Sequence, residues 1–261
     1  TINYLLEGSA PPARCRIDFD TTVGDETYTV LKSSTEFCQK YVTDLSYLLV
    51  PELKLERQRE MMRVVEARAT LRALEEEVEN FETEDENGNS GDGDEGSAAD
   101  SEMRRAEAME ILRNNGATGG PYDGPRLRMY FPDEGSAALA RRDWIGQGAV
   151  PKCVEMSSLG GMGSAGADIS KDVAIIFFCT KASEADFLEN VLSKMEARED
   201  DIYKLSVFIN PNLVDMGVTG FGMAGRLLRE RLLDGLPNVY YLRTLQWGAL
   251  TRSWPKDFSV W

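Results

Sequence analysis

Two glycine-rich stretches have the G-x-G-x-x-G spacing with which backbone amides at a helix N-terminus bind the phosphates of a dinucleotide. The first stretch consists of Gly161, Gly163 and Gly166. An apolar run typical of a strand follows it, whereas the dinucleotide fingerprint requires a strand, a tight turn and then a helix. We therefore interpret the first stretch as a flexible loop that binds no cofactor.

The second stretch combines three glycines with two arginines at the start of a predicted helix. These residues are Gly220, Gly222, Gly225, Arg226 and Arg229. Arg243, near the end of the next predicted strand, could contact the 2′-phosphate of a nicotinamide cofactor. However, about nine residues separate the preceding strand end at Asn210 from Gly220, where the fingerprint allows almost none. A turn that glycine permits is the favoured interpretation, and a nucleotide- or phosphate-binding enzyme is the alternative.

Three polar residues follow predicted strands at the edge where open α/β sheets bind ligands. They are Asp133, Thr180 and Asn210. One interpretation is a binding site built from these three side chains. The favoured interpretation is that they cap helices and form turns, as Asp, Thr and Asn commonly do after strands.

The C-terminal segment is rich in tryptophan and arginine, which concentrate at the energetic centres of protein interfaces. The candidate partner-binding residues are Arg229, Arg243, Trp247, Arg252, Trp254 and Trp261. The favoured interpretation is that the aromatic side chains only fix the last segment of the chain to the sheet, and a partner-binding surface is the alternative.

The sequence contains no histidine, which excludes Ser-His-Asp triads, Cys-His dyads and histidine metal sites. The four cysteines are Cys15, Cys38, Cys153 and Cys179. None belongs to a C-x-x-C pair, so we expect buried, reduced thiols and no zinc site. We assign no catalytic residue, no metal and no cofactor from the sequence.

The net charge of −15 argues against non-specific binding to nucleic acid and to anionic lipid. Most of this charge lies in one acidic run over residues 74–102. The sequence contains no apolar run long enough to span a membrane, so we expect at most peripheral membrane association. The sequence begins at Thr1 and not at methionine, which indicates a removed targeting segment or a missing start.

Hydrophobic periodicity predicts the elements that position these residues. Residues 1–12 are expected to be irregular, and residues 14–19 alternate like a strand. A helix with Ser33 or Ser34 as its N-cap is predicted to run through Val50, because Pro51 interrupts it.

Residues 52–116 are predicted to form a helical insert. One long helix is expected over residues 52–81 and a second over 102–114, with Ser101 as its N-cap. Residues 82–100 are acidic and rich in Gly and Ser, and we expect disorder because their apolar surface cannot offset the entropy lost on ordering. A homodimer formed through the insert helices is a further hypothesis.

Strand and helix patterns alternate over residues 117–261. Strands are predicted at residues 127–131, 152–156, 173–180, 205–210 and 239–244. Helices are predicted at residues 135–144, at 183–197 with Ser183 as N-cap, and at 225–233. This alternation implies right-handed crossovers and a mostly parallel sheet. The predicted fold class is therefore α/β, a Rossmann-like sheet flanked by helices, in which residues 1–51 and 117–261 form one domain.

Four segments of the C-terminal half resemble, in order and spacing, a family whose domain has no known function. They are FPDEGSAALARRDW, VAIIFFCT, VFINPNLVD and GRLLRERLLDGLPNVYYLRTLQWGALTRSWPKDFSVW. The family occurs in plastids and cyanobacteria and is typified by the photosystem II assembly factor Low PSII Accumulation three. The resemblance covers roughly residues 125–261, with RCRIDF and the helix after it as a weaker match.

The resemblance implies a chloroplast location, in the stroma or at the stromal face of the thylakoid, with the transit peptide removed. It transfers no catalytic residue, because the family has none that is agreed. The insert over residues 52–116 departs from the short connection expected in the family. The favoured hypothesis is a non-enzymatic assembly factor or peripheral subunit that binds a thylakoid complex, a photosystem, through a degenerate Rossmann-like domain.

Overall fold

The described strands of the chain form one mixed sheet. The computed structural model describes residues 1–6, 13–20, 27–85, 95–114, 116–117, 122–146, 148–160, 168–199, 204–213, 222–233 and 236–261. Contacts divide the chain into two units, Thr1–Leu49 with Tyr122–Trp261 and Val50–Pro121. The sheet belongs to the first unit.

The described strands and helices alternate along the first unit. The strands are β1 (Ala13–Phe19), β2 (Arg126–Phe131), β3 (Val154–Ser158), β4 (Asp172–Phe178), β5 (Leu205–Ile209), β6 (Asn238–Leu245), β7 (Gly248–Ser253) and β8 (Ser259–Val260). The helices of the whole chain are α1 (Ile2–Leu6), α2 (Thr27–Leu49), α3 (Pro51–Asp85), α4 (Glu95–Arg113), α5 (Glu134–Ala140), α6 (Ala185–Glu196) and α7 (Gly222–Leu233). A π-helical turn, Arg141–Ile145, continues α5, and a 3₁₀ turn, Ala182–Glu184, precedes α6.

The strand order in the sheet is β3-β2-β4-β5-β1-β6-β7-β8. The pairs from β3 through to β6 are parallel, whereas β7 pairs antiparallel with both β6 and β8. The predicted α/β fold with a mostly parallel sheet is therefore confirmed. The N-terminal strand β1 lies inside this sheet, between β5 and β6.

Helices cover both faces of the sheet. A buried cluster on one face joins aromatic residues of β2, β4 and β5 to leucines of α6 and α7: Tyr130, Phe177, Phe208, Leu188, Leu192 and Leu232. On the other face the ring centroid of Phe19 lies 4.3 Å from that of Phe37 in α2, and that of Phe131 lies 6.1 Å from that of Trp144. The neighbouring strands β2 and β4 thus lead to helices on opposite faces, which creates the switch point where doubly wound sheets bind ligands.

Two predicted N-caps are wrong because their helices begin earlier than expected. Helix α2 begins at Thr27, so Ser33 and Ser34 lie inside it. Helix α4 begins at Glu95, which places Ser101 within the helix. Serine is only mildly unfavourable inside a helix, so a serine near the start of an apolar pattern does not by itself fix the first residue.

Residues 2–6 and the start of α6 also differ from expectation. Residues 2–6 form the short helix α1, where an irregular segment is predicted. Ser183 lies inside the 3₁₀ turn before α6 and is not the N-cap. Instead, the Lys181 backbone N–H donates to Glu184 Oε2 at 2.8 Å.

The second unit is a pair of helices, α3 and α4, that pack against each other. Among the side chains of α3 that the structure describes, the buried ones recur every seven positions, at Leu53, Glu60, Ala67 and Leu74. Gly116, just after α4, has a φ of +74°, and a Cβ there would lie 2.2 Å from the Glu60 carbonyl oxygen. The connection after α4 can therefore approach the backbone of α3 this closely because residue 116 is glycine.

The disorder predicted over residues 82–100 is wrong at both ends of that segment. Helix α3 continues to Asp85, and α4 already begins at Glu95. Glutamate and alanine favour helix, so the composition permits these extensions. Residues 86–94 lie outside the described part of the chain.

Candidate functional site

The carboxyl ends of β2, β4 and β5 lie on neighbouring strands and present Asp133, Thr180 and Asn210 at one edge of the sheet. Asp133 is the N-cap of α5. Its two carboxylate oxygens accept hydrogen bonds from Ser136, one from the backbone N–H at 2.8 Å and one from the hydroxyl at 2.9 Å. The hydrogen bond from the Ser136 backbone is the main reason that the pKa of Asp133 is lowered. The Asp133 carboxylate is thus engaged in starting the helix.

Asn210 joins the ends of two strands. Its Oδ1 accepts from the Phe19 N–H at 2.8 Å, and its Nδ2 donates to the Phe19 carbonyl at 3.1 Å. Its φ of 46° lies in the left-handed region, which asparagine tolerates better than most residues. The amide therefore replaces a rung of the ladder between β5 and β1 and has a structural role.

Thr180 is fully buried at the same edge. Its carbonyl accepts from the Asn212 N–H at 2.8 Å, but its hydroxyl has no hydrogen-bond partner among the described residues. The preceding residue, Cys179, has a φ of 50°, and burial raises the pKa of its thiol to about 11. A thiol protonated at neutral pH is a poor nucleophile, so Cys179 offers no reactive group to this edge.

The amino ends of the strands, opposite the Asp133 edge, carry an ion-pair network that the sequence does not predict as a group. Arg128 Nε lies 2.6 Å from Asp172 Oδ2, and Arg128 Nη1 lies 2.7 Å from Glu155 Oε2. Arg128 and Asp172 are both buried, and burial is the largest cause of the raised pKa of Asp172. The alternating arginines of RLRMYF were the available signal, but their partners come from distant strands. These charges lie at the amino ends of the strands, away from the edge where such sheets bind ligands.

The two glycine-rich stretches fall largely outside the described residues. Gly161, Gly163 and Gly166 all lie there, and so does Gly220. Helix α7 begins at Gly222, three residues before the predicted start at Gly225. The side chains of Arg226 and Arg229 also lie outside the described part. The phosphate-binding and partner-binding roles of this helix therefore stay predictions.

Aromatic and apolar side chains are exposed on the antiparallel extension of the sheet. This C-terminal aromatic surface consists of Trp247 (76% exposed), Phe258 (49%), Val260 (56%) and Trp261 (79%). Trp247 lies in the turn between β6 and β7, and the other three lie on or beside β8. Successive side chains of a strand point to opposite faces, so Phe258 and Val260 share one face of the extension and Trp261, whose indole reaches Thr251, lies on the other. Large exposed apolar side chains commonly mark an interaction site.

The predicted partner-binding residues Arg252 and Trp254 contribute mainly to packing. The Arg252 guanidinium lies 5.6 Å from the Trp254 ring centroid and 5.1 Å from that of Phe258, within cation–π range. The Trp254 ring also makes an edge contact with Tyr4 of α1 at 5.6 Å. These contacts hold the segment after β7 and thereby position Phe258.

Trp261 is held on the sheet through its backbone and indole N–H. Its backbone N–H and carbonyl each exchange a 2.9 Å hydrogen bond with Ala249. Its indole Nε1 donates to Thr251 Oγ1 at 3.1 Å and to Ser259 Oγ at 3.0 Å. A Cβ at Gly248 would lie 2.1 Å from the Trp261 carbonyl oxygen, so this pairing requires glycine at position 248.

The described residues offer neither a membrane-spanning helix nor a metal cluster. None of the described helices is both long and apolar enough to cross a bilayer. The same part of the chain contains no group of three or more Cys, Asp or Glu side chains placed to hold a metal ion.

Fold and site together define a doubly wound α/β protein with an antiparallel extension that exposes aromatic side chains. The family model described as Domain of unknown function (DUF1995) matches residues 48–261. The chain therefore belongs to this family. No curated protein and no solved structure shows significant similarity to it.

Proposed function

We propose that the protein binds another protein through the C-terminal aromatic surface and acts without catalysis, as an assembly factor or peripheral subunit. The observation that carries the proposal is the exposure of Trp247 and Trp261, at 76% and 79%, on an ordered extension of the sheet. Buried tryptophan anchors contribute a large share of the binding energy at protein interfaces. An exposed pair on a hydrogen-bonded scaffold offers such anchors without the cost of ordering the backbone.

The sheet edge supports a binding role over a catalytic one. The Asp133 carboxylate and the Asn210 amide both hydrogen-bond within the fold, and the sequence contains no histidine for acid–base chemistry. The partner we propose is a photosynthetic complex of the thylakoid, with the protein at the stromal side in the chloroplast. The resemblance of four C-terminal segments to a plastid and cyanobacterial family supports this assignment.

Capture of membrane complexes from solubilised thylakoids tests the proposal. The immobilised whole chain is compared with Trp247→Ala and with Phe187→Ala, which removes an aromatic side chain of 45% exposure on α6. We expect the wild type and Phe187→Ala to recover the same complex, and Trp247→Ala to recover it at least tenfold less, as loss of a hot spot of about 2 kcal/mol requires. Failure of the wild type to recover any membrane protein, or equal recovery by Trp247→Ala, would overturn the proposal.

A further inference from the structure

The outer edge of β8 has free backbone hydrogen-bonding groups. Ala249 and Trp261 exchange both of their backbone hydrogen bonds, at 2.9 Å each. In an antiparallel ladder the residues next to such a pair point their N–H and C=O groups away from the partner strand. Val260, which is aligned with Leu250, therefore directs its backbone groups outward. Within the described residues, no strand pairs with this edge.

The side chains of this edge do not protect it from pairing. Exposed edge strands usually carry a proline, or a lysine or other charged residue, that prevents pairing with a further strand. Here residues 258–261 read FSVW and contain no charge. Phe258 and Val260 are 49% and 56% exposed. An uncharged edge with exposed apolar side chains is suited to receive an added strand.

Charge indicates the chemistry of that strand. Residues 238–261 contain three basic side chains, Arg243, Arg252 and Lys256, and one acidic side chain, Asp257, for a net charge of +2. The whole chain has a net charge of −15, so this extension is a basic region on an acidic protein. Arg243, Lys256 and Asp257 are exposed, so two of these three exposed charges are basic. A segment with acidic residues would be attracted here, whereas the same edge of a second copy would bring like charges together.

We propose that the partner contributes an extended segment, apolar at its centre and acidic at its ends, which adds as a ninth strand to the outer edge of β8. This inference rests on the proposed function and names the partner chemistry of the same surface. Backbone hydrogen bonds to Val260 supply affinity, and contacts with Phe258 and Trp261 supply specificity.

A synthetic peptide of about ten residues, the length of a long strand, serves as the probe. It has a core of alternating valine and threonine between glutamates, and its control has lysines in place of the glutamates. We expect fluorescence anisotropy to show binding of the glutamate peptide to the whole chain at least tenfold tighter than that of the lysine peptide. Equal affinities, or no binding of the glutamate peptide, would count against the inference.

Two substitutions at one position separate backbone pairing from side-chain contact. Val260→Pro removes the outward N–H without removing a β7 hydrogen bond, whereas Val260→Ala removes only side-chain atoms. We expect Val260→Pro to lower the affinity for the glutamate peptide at least tenfold and Val260→Ala to lower it no more than threefold. Hydrogen exchange provides a test that needs no variant. We expect the glutamate peptide to slow exchange of the Val260 amide in the wild type. An exchange rate of the Val260 amide that the peptide does not change, or equal effects of the two variants, would contradict strand addition.

The two proposals fail in different ways. If thylakoid capture depends on Trp247 but Val260→Pro and Val260→Ala recover equal amounts, the surface binds a protein but not by strand addition. If the wild type captures nothing, the proposed function fails whatever the peptide does.

Discussion

At the scale of single residues, the positions of the polar side chains at the sheet edge can be predicted from the sequence, whereas their roles cannot. The sequence predicts Asp133, Thr180 and Asn210 at the carboxyl ends of strands, and in the fold they follow three neighbouring strands, β2, β4 and β5. Their roles depend on backbone geometry that a motif does not encode. The Asp133 carboxylate meets the N–H of a helix that starts one residue later, and Asn210 reaches Phe19, which is distant in sequence.

The N-cap at Asp133 gives a prediction with a defined pH dependence. We expect Asp133→Ala to lower the free energy of unfolding by about 1 kcal/mol at pH 7, because two hydrogen bonds from Ser136 are lost. The pKa of Asp133 is lowered in the folded chain, so its stabilisation is present above the ordinary value of 3.8 and is lost as pH falls through the lowered pKa. The difference between variant and wild type should therefore shrink below pH 3.8.

Urea unfolding of both proteins from neutral to acidic pH measures this difference. The matched control is Asp44→Ala, which removes an exposed helix ion pair with Lys40 at 3.2 Å. That pair contributes only about 0.3–0.5 kcal/mol at neutral pH. A deficit for Asp133→Ala that stays constant down to the lowest pH would show that the carboxylate does not act as the cap.

At the scale of elements, the parallel strands were predictable and the antiparallel extension was not. The run VAIIFFCT is apolar enough to indicate a strand buried on both faces, and it forms most of β4. By contrast, β7 and β8 contain threonine, serine and arginine between few apolar residues. They are therefore recognised as strands only from their pairing with neighbouring strands. The exposed edge at Val260 could therefore not be inferred from the sequence, although its aromatic neighbours stand out in the composition of the C-terminal segment.

Gly248 gives a prediction for the pairing of β7 with the segment at Trp261. A Cβ at this position would lie 2.1 Å from the Trp261 carbonyl oxygen, which belongs to the backbone and can yield only if the segment moves. We expect Gly248→Ala to break the hydrogen bonds between Ala249 and Trp261 and to speed exchange of both amides at least tenfold. The measurement is hydrogen exchange by NMR.

Gly160→Ala is the control for that substitution. The nearest atom to its added Cβ is the Pro132 carbonyl oxygen at 3.6 Å, an ordinary van der Waals distance. Exchange at Ala249 and Trp261 should match the wild type in this variant. Unchanged exchange in Gly248→Ala would mean that the segment accommodates the extra methyl group.

At the scale of the whole molecule, the residues that define the family and the residues that complete the sheet are not the same. The family model matches residues 48–261, which excludes β1 and all but the last residues of α2. Yet β1 lies between β5 and β6 and pairs with both. Its residues Ala13, Cys15 and Ile17 are buried, and burial raises the pKa of the Cys15 thiol to about 12. The N-terminal segment is therefore part of the sheet's core.

This position of β1 predicts that the family-matched residues will not fold by themselves. A fragment of residues 48–261 leaves β5 and β6 with unpaired edges inside the sheet and exposes the apolar face that α2 covers. We expect the fragment to lack the near-ultraviolet circular dichroism of the whole chain and to show no cooperative urea transition, so that its free energy of unfolding approaches zero. The whole chain prepared in parallel is the reference. A cooperative transition in the fragment, with the near-ultraviolet signal retained, would mean that β5 and β6 can close the sheet without β1.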